Sequence, residues 1–233
     1  MSTTLKISIP NNLSGISLDQ YQRYLAVAKN VEGENNEFLN LKALEIFCGL
    51  TLKDSYNLPV SMFESVLERL TNVFEEKNDL VRRFKMTGSD NVTVEFGMIP
   101  NLDKISFGEY VDLEKYISDW STMHKAMAVL YRPIISGNDQ FYGIEPYEGS
   151  EKWAETMRDS PVPVALGALV FFYRLGIKLS KYTMNSLVEE AGTTSQQKQT
   201  LERNGAGISL FMDLVEEMSQ ELIPSPKYRY ISA

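Results

Sequence analysis

The sequence predicts a mainly α fold: a helical bundle with two small β-hairpins and extended N- and C-terminal arms. Three observations lead there. Apolar residues recur at three- and four-residue spacing along most of the chain. Two stretches, 80–99 and 134–147, break that period around Gly, Asn and Asp turns. Prolines at Pro10 and Pro224 set both ends apart from the body. With 43% hydrophobic and 23% charged residues among 233, the chain can bury a core and does not have the composition of a disordered polymer. One main domain is expected over residues 1–223, with an arm at 1–10, and a second arm over 224–233.

Leu5, Ile7 and Ile9 alternate with Lys6 and Ser8, the period of a half-buried strand or of an arm that adds to a partner. Ser17 caps a helix carrying Leu18, Tyr21, Leu25 and Ala28, because its hydroxyl can accept from a first-turn amide. A second helix covers Glu37 to Cys48, with Gly49 supplying a left-handed ending. After Asn57-Leu58-Pro59, Ser61 is expected to cap a third helix whose Phe63, Val66, Leu67, Leu70, Val73 and Phe74 form one apolar stripe.

Thr87 to Asn91 reads as a turn and Val92 to Phe96 as a strand, which gives the first hairpin. Ser106 and Glu109 stand at capping-box spacing. Asp119 can cap the next helix, with Trp120, Met123, Met127 and Leu130, which has to stop before Pro133. The second hairpin is expected from Ile134 to Tyr147, around Gly137-Asn138-Asp139. Helices follow over Ser150 to Arg158, then from Pro161 or Val164 to Ala191, then from Thr194 to Leu222 with a weak point at Gly205-Ala206-Gly207. Leu166-Gly167-Ala168-Leu169 suits a buried helix approached closely by its neighbours. Lys227-Tyr228-Arg229-Tyr230-Ile231 alternates cations and aromatics, which fits an arm laid on a partner and equally a frayed chain end.

The chemistry of the residues argues for contact more than catalysis. A net charge of -8 repels phosphate backbones, so no nucleic acid is expected, and the short basic run Arg82-Arg83-Phe84-Lys85 reads as a solvated element end. A single cysteine, Cys48, and a single histidine, His124, cannot assemble a structural zinc set. Cys48 is read as a packing residue, and His124 as a packed or a surface histidine that takes no part in catalysis. Glu75-Glu76, Glu189-Glu190 and Glu216-Glu217 are adjacent pairs that diverge around a helix instead of converging on one site. No phosphate-binding glycine loop or nucleophile elbow is present, so neither catalytic residues nor a cofactor or metal are expected. Residues 161–173 carry no charge but are too few to span a bilayer, so no membrane is expected and the chain reads as soluble and intracellular. Ten methionines, twelve tyrosines and eleven phenylalanines provide adaptable contact surface. Ile7, Ile9, Tyr228, Arg229 and Tyr230 are the candidate partner-binding residues.

One block narrows this further: Phe96-Gly97-Met98-Ile99-Pro100-Asn101-Leu102, then Ile105 to Glu114, then Trp120 to Pro133. It resembles a family of small proteins encoded among the structural genes of tailed bacteriophages, including crAss-like and marine phages. The likeness continues through Tyr142 to Tyr147 and Leu166 to Leu175 and leaves out the chain ends. The resemblance implies a virion component, made in the bacterial host cytoplasm, of the head-to-tail connector or tail. Its partners would be copies of itself in a homo-oligomer and neighbouring phage structural proteins. A tail assembly chaperone is the alternative within phage biology, and a small metal-independent enzyme is the alternative outside it. Within the block, Gly97 and Gly108 permit close backbone approach, and Arg132 sits where a cation can meet helix C-terminal carbonyls.

Overall fold

The computed structural model describes residues 7–31, 36–76, 79–88, 91–101, 105–138 and 141–172. These build a mainly helical fold with one small four-stranded antiparallel sheet. The expected helices beyond 172, the Gly205-Ala206-Gly207 weak point and the arm at 224–233 lie outside the described residues.

After a 3-10 turn at Leu13–Gly15, α1 (Leu18–Lys29) opens on a capping box. The Gln20 N–H donates to Ser17 Oγ, and the Ser17 N–H donates to the Gln20 side chain. α2 spans Asn36–Cys48 and ends at Gly49, whose φ of 68° is the left-handed conformation that a glycine adopts without strain. A short helix that the sequence reading missed, α3 (Leu52–Tyr56), follows at once, capped by Thr51.

α4 (Val60–Phe74) corrects the expected cap. Pro59 occupies the capping position with no side-chain hydrogen bond, and Ser61 falls inside the first turn. Proline's fixed φ suits a helix entry, and the helix starts two residues earlier than a Ser61 cap would place it. The stripe itself holds: Val66, Leu67, Leu70 and Val73 are buried.

The hairpin of β1 (Arg83–Thr87) and β2 (Thr93–Met98) runs in register from Arg83 opposite Gly97 to Thr87 opposite Thr93. α5 (Phe107–Ile117) opens on the second capping box, made by Ser106 and Glu109. Asp119 caps a 3-10 turn, Trp120–Thr122, instead of the helix directly, and α6 (Met123–Leu130) follows. Around α6, Met123, His124 and Ala126 to Leu130 are buried, the pattern of a helix enclosed on all sides.

At Tyr131 the backbone turns from helix to strand with no loop, so β3 (Tyr131–Gly137) starts three residues earlier than expected and contains Pro133. The two hairpins are therefore not separate. β3 pairs with β2 (Phe96 opposite Pro133, Gly97 opposite Arg132, Met98 opposite Tyr131), and β4 (Tyr142–Ile144) completes the order β1-β2-β3-β4. Proline is tolerated mid-sheet because N–H and C=O of one strand residue point the same way. The Pro133 carbonyl accepts from Glu145 on the β4 side, so no bond to β2 is lost there.

Gly97 allows the crossing, since a Cβ there would stand 2.5 Å from Tyr142 Cε2 and 2.9 Å from Ile134 Cγ1. Gly108 does not have the expected role within the chain: a Cβ there would meet only Tyr147 Cε1, at 4.0 Å.

α7 (Glu151–Arg158) and the helical stretch 162–172, here α8, close the described fold. α6 packs between α5 and α7. The expected buried helix is present in α8, and Gly167 explains how its neighbour comes so close: a Cβ there would stand 2.4 Å from the Asp79 carbonyl oxygen. The chain start is tied to α8 through Leu18 N–H to Ser160 O (2.8 Å) and Val162 N–H to Ile16 O (2.9 Å). One aromatic group, Tyr21, Trp120, Phe47 and Phe74, joins α1, α2 and α4 to the turn before α6. A second, Phe84, Phe96, Tyr131 and Trp153, fills the space between sheet and α7.

Candidate functional site

The chemistry-bearing side chains of the central block converge at the start of α5. Glu109, third residue of that helix, uses both carboxylate oxygens. Oε2 accepts from the Ser106 N–H at 2.7 Å and Oε1 meets Arg132 Nη2 at 2.6 Å. Both side chains of this ion pair are only 8% exposed. The helix cap and the strand β3 are thus clamped by one carboxylate.

Arg132 is held from three sides. Nη1 donates to the Val129 carbonyl at the end of α6 (3.4 Å), as expected for a cation at a helix C-terminus, and the guanidinium lies 5.3 Å over the Tyr147 ring. Nε is buried without a hydrogen-bond partner. The Tyr147 hydroxyl donates to Asp112 Oδ2 on α5, and Glu145 accepts from Trp153 Nε1 (2.7 Å) and pairs with Lys152 (3.0 Å).

These environments fix protonation states. Burial pushes the Glu109 carboxyl up, but the hydrogen bonds from Ser106 and the hydrogen bond and charge of Arg132 outweigh it and hold the group below the usual glutamate range. Tyr147 is pushed up by burial and by its hydrogen bond to the Asp112 carboxylate. Glu109 is therefore a fully bonded carboxylate and Tyr147 a fully bonded phenol. Neither is poised to move a proton at neutral pH.

His124 is buried in α6, where Gln22 Nε2 lies 3.2 Å from Nδ1 and also donates to the Trp120 carbonyl. Since that carbonyl needs a donor, the amide nitrogen faces it, and His124 Nδ1 is the acceptor with its proton on Nε2. Burial first, then the Arg158 charge, lowers its pKa. Burial likewise pushes the Cys48 thiol up to about 11, which suppresses the reactive thiolate. Among the described residues, no group of three or more His, Cys, Asp or Glu side chains is placed to hold a metal ion, and no helix is long and apolar enough to cross a membrane.

The exposed surface beside the clamp is apolar. On α5, Phe107 (82% exposed), Tyr110 (52%) and Val111 (42%) share one face at helical spacing, with Gly108 between them. The opposite face, Leu113, Tyr116 and Ile117, goes into the core.

No protein-family model matches this chain, and no curated protein or solved structure matches it.

Of the partner-binding residues read from the sequence, Ile7 and Ile9 are half-buried against the body of their own chain, and Tyr228, Arg229 and Tyr230 lie outside the described residues. Sequence reasoning missed the clamp. Glu109 and Arg132 each had a local role, and no periodicity links two residues so far apart. It missed the α5 face as well, although Phe107, Tyr110 and Val111, apolar positions beyond the stripe that one core needs, carry a signal that could have found it.

Proposed function

We propose that this chain is a non-enzymatic structural component of a tailed-phage virion, in the head-to-tail connector or tail, acting through protein–protein contacts in an oligomeric ring. The observation that carries the contact reading is the α5 face. Two aromatics and a valine stand in water on a helix whose other side is fully packed, and contiguous exposed apolar residues of this kind mark interaction surfaces. Gly108 supports it, since its missing side chain serves no packing in its own chain and leaves the helix backbone open to a neighbour. The phage setting rests on the resemblance of the block that contains this face.

In this reading the clamp has a positioning role. Ser106, Glu109 and Arg132 fix the N-terminus of α5 against β3, so the face is presented in one orientation. The chain ends, read from the sequence as arms, would add contacts to neighbouring copies.

Mass spectrometry of purified virions tests the proposal. The chain is expected in the finished particle, and its complete absence would instead favour an assembly chaperone. A second measurement addresses the face: Phe107→Ser with Tyr110→Lys should sharply reduce particle yield in complementation while the circular dichroism spectrum stays unchanged. Normal yield from that variant overturns the assignment of the face.

A further inference from the structure

A second apolar patch stands on different elements from the α5 face. At the corner between α3 and α4, Tyr56 and Val60 are 69% and 73% exposed, with Pro59 and Met62 exposed beside them. Leu58 and Phe63 at the same corner pack against the core, so the exposed side chains stand on a fixed support. α3 and α4 pack on α2, whereas α5 packs on α6 and the Trp120 turn.

Each patch carries polar groups without a partner, and the two sets have opposite sign. α4 begins with no side-chain cap and no acid in its first turn. The N–H groups of Val60 and Ser61 make no hydrogen bond among the described residues, while those of Met62 and Phe63 share the Pro59 carbonyl. A helix end left in this way is positive. Lys53, exposed one turn before Tyr56 on α3, adds a full charge and has no acidic partner among the described residues. On α5, Glu114 lies one turn beyond Tyr110 and Val111 and two beyond Phe107, on the same face. It is exposed and makes no hydrogen bond or ion pair among the described residues.

A ring needs two different, complementary patches on every subunit, since a patch joined to its own copy closes a pair and stops there. With the α5 face as one, the α3–α4 corner has the properties of the other. Apolar side chains meet apolar side chains, and a central carboxylate meets the free amides of α4 and the Lys53 ammonium.

We propose that the α5 face docks on the α3–α4 corner of a second copy, with Phe107, Tyr110 and Val111 against Tyr56, Val60 and Met62, and Glu114 at the α4 N-terminus. The inference rests on the oligomeric reading above and names the partner of that face.

Mixing two full-length variants and weighing them by native mass spectrometry tests this. Phe107→Ser removes the docking face and leaves the corner, whereas Val60→Asp blocks the corner and leaves the face. An acid in the first turn of α4 suits that helix, so Val60→Asp keeps the fold while repelling Glu114, and an unchanged circular dichroism spectrum checks both chains. Each variant alone should be a monomer, and the equimolar mixture should form a heterodimer. Glu114→Lys added to the Val60→Asp chain should cut the heterodimer several-fold, and Lys53→Glu in the Phe107→Ser chain should restore part of it. A mixture that stays monomeric overturns the proposal. So does a dimer of the Val60→Asp chain alone, which would mean that the α5 face pairs with itself, and so does indifference to the charge changes. A heterodimer from a chain absent from purified virions refutes the virion reading and leaves this contact standing. A virion-resident chain whose mixed variants stay monomeric refutes only this contact.

Discussion

Replacing Arg132 by methionine removes the cation but keeps most of the side-chain length over the Tyr147 ring. It leaves Glu109 buried, with one oxygen still accepting from Ser106 and the other without its partner at 2.6 Å. Breaking one side of a buried ion pair costs about 3–5 kcal/mol, because the remaining charge is uncompensated. Against a total stability of about 5–15 kcal/mol for a typical domain, that is a large fraction. Glu109→Gln keeps an acceptor for Ser106 but turns its NH2 toward the guanidinium and leaves Arg132 as the uncompensated buried charge, so it should cost a similar amount, about 3–5 kcal/mol. Once Arg132 is gone, the neutral glutamine is the better occupant, so the double variant should be more stable than Arg132→Met alone. Urea denaturation of the four proteins closes the cycle and should give a coupling of about 0.5–3 kcal/mol. The pH dependence has a fixed sign. Because the folded Glu109 pKa is depressed, its contribution is present above the unfolded value of about 4.3 and is lost as pH falls through the lower folded value. Arg132→Met should flatten the stability curve in that acid window. A cost below about 1 kcal/mol, or strict additivity in the cycle, would refute the clamp.

Four further outcomes follow from named residues. Gly97→Ala should destabilise by about 1–3 kcal/mol because its Cβ would overlap Tyr142. Gly108→Ala, with open space around it, should instead stabilise the isolated chain by about 0.5–1 kcal/mol, and thermal melts of the pair distinguish the two glycines. His124 has a lowered folded pKa, so the unfolded chain takes up the proton more readily and stability should fall as pH drops below about 6.5. His124→Gln should remove that slope between pH 7 and its folded value, read by denaturation at each pH. Cys48, buried with its thiol raised to about 11, should react with a thiol reagent only as the chain unfolds, so labelling under native conditions should track global stability.

The local signals in this sequence were legible because capping and periodicity involve residues within a turn or two. Ser17 with Gln20, Ser106 with Glu109, Gly49 and the α4 stripe all belong to that class. What could not be read was long-range pairing. Two hairpins were visible, but their union through Phe96 with Pro133 depends on α6 ending directly in β3. A proline ordinarily argues against a central strand, and only the direction of the Pro133 carbonyl shows why it is harmless here. The Ser61 cap failed for a local reason, since Pro59 beginning the helix competes with serine for the same position.

The clamp and the α5 face bear on each other physically. A buried ion pair is an expensive way to join a helix to a strand, and well-packed apolar side chains could serve the same stability. What the pair adds is direction. Glu109 must face Arg132 and Ser106 at once, which fixes the rotation of α5 about its own axis. Fixing that rotation decides which residues face outward, and those are Phe107, Gly108, Tyr110 and Val111. A contact surface with a preset orientation loses less freedom on binding than one that must settle into place. Under the proposed contact role, a well-packed apolar replacement at both positions, Glu109→Leu with Arg132→Met, therefore separates the two roles: it should preserve stability while losing assembly, whereas a purely structural clamp would leave assembly intact.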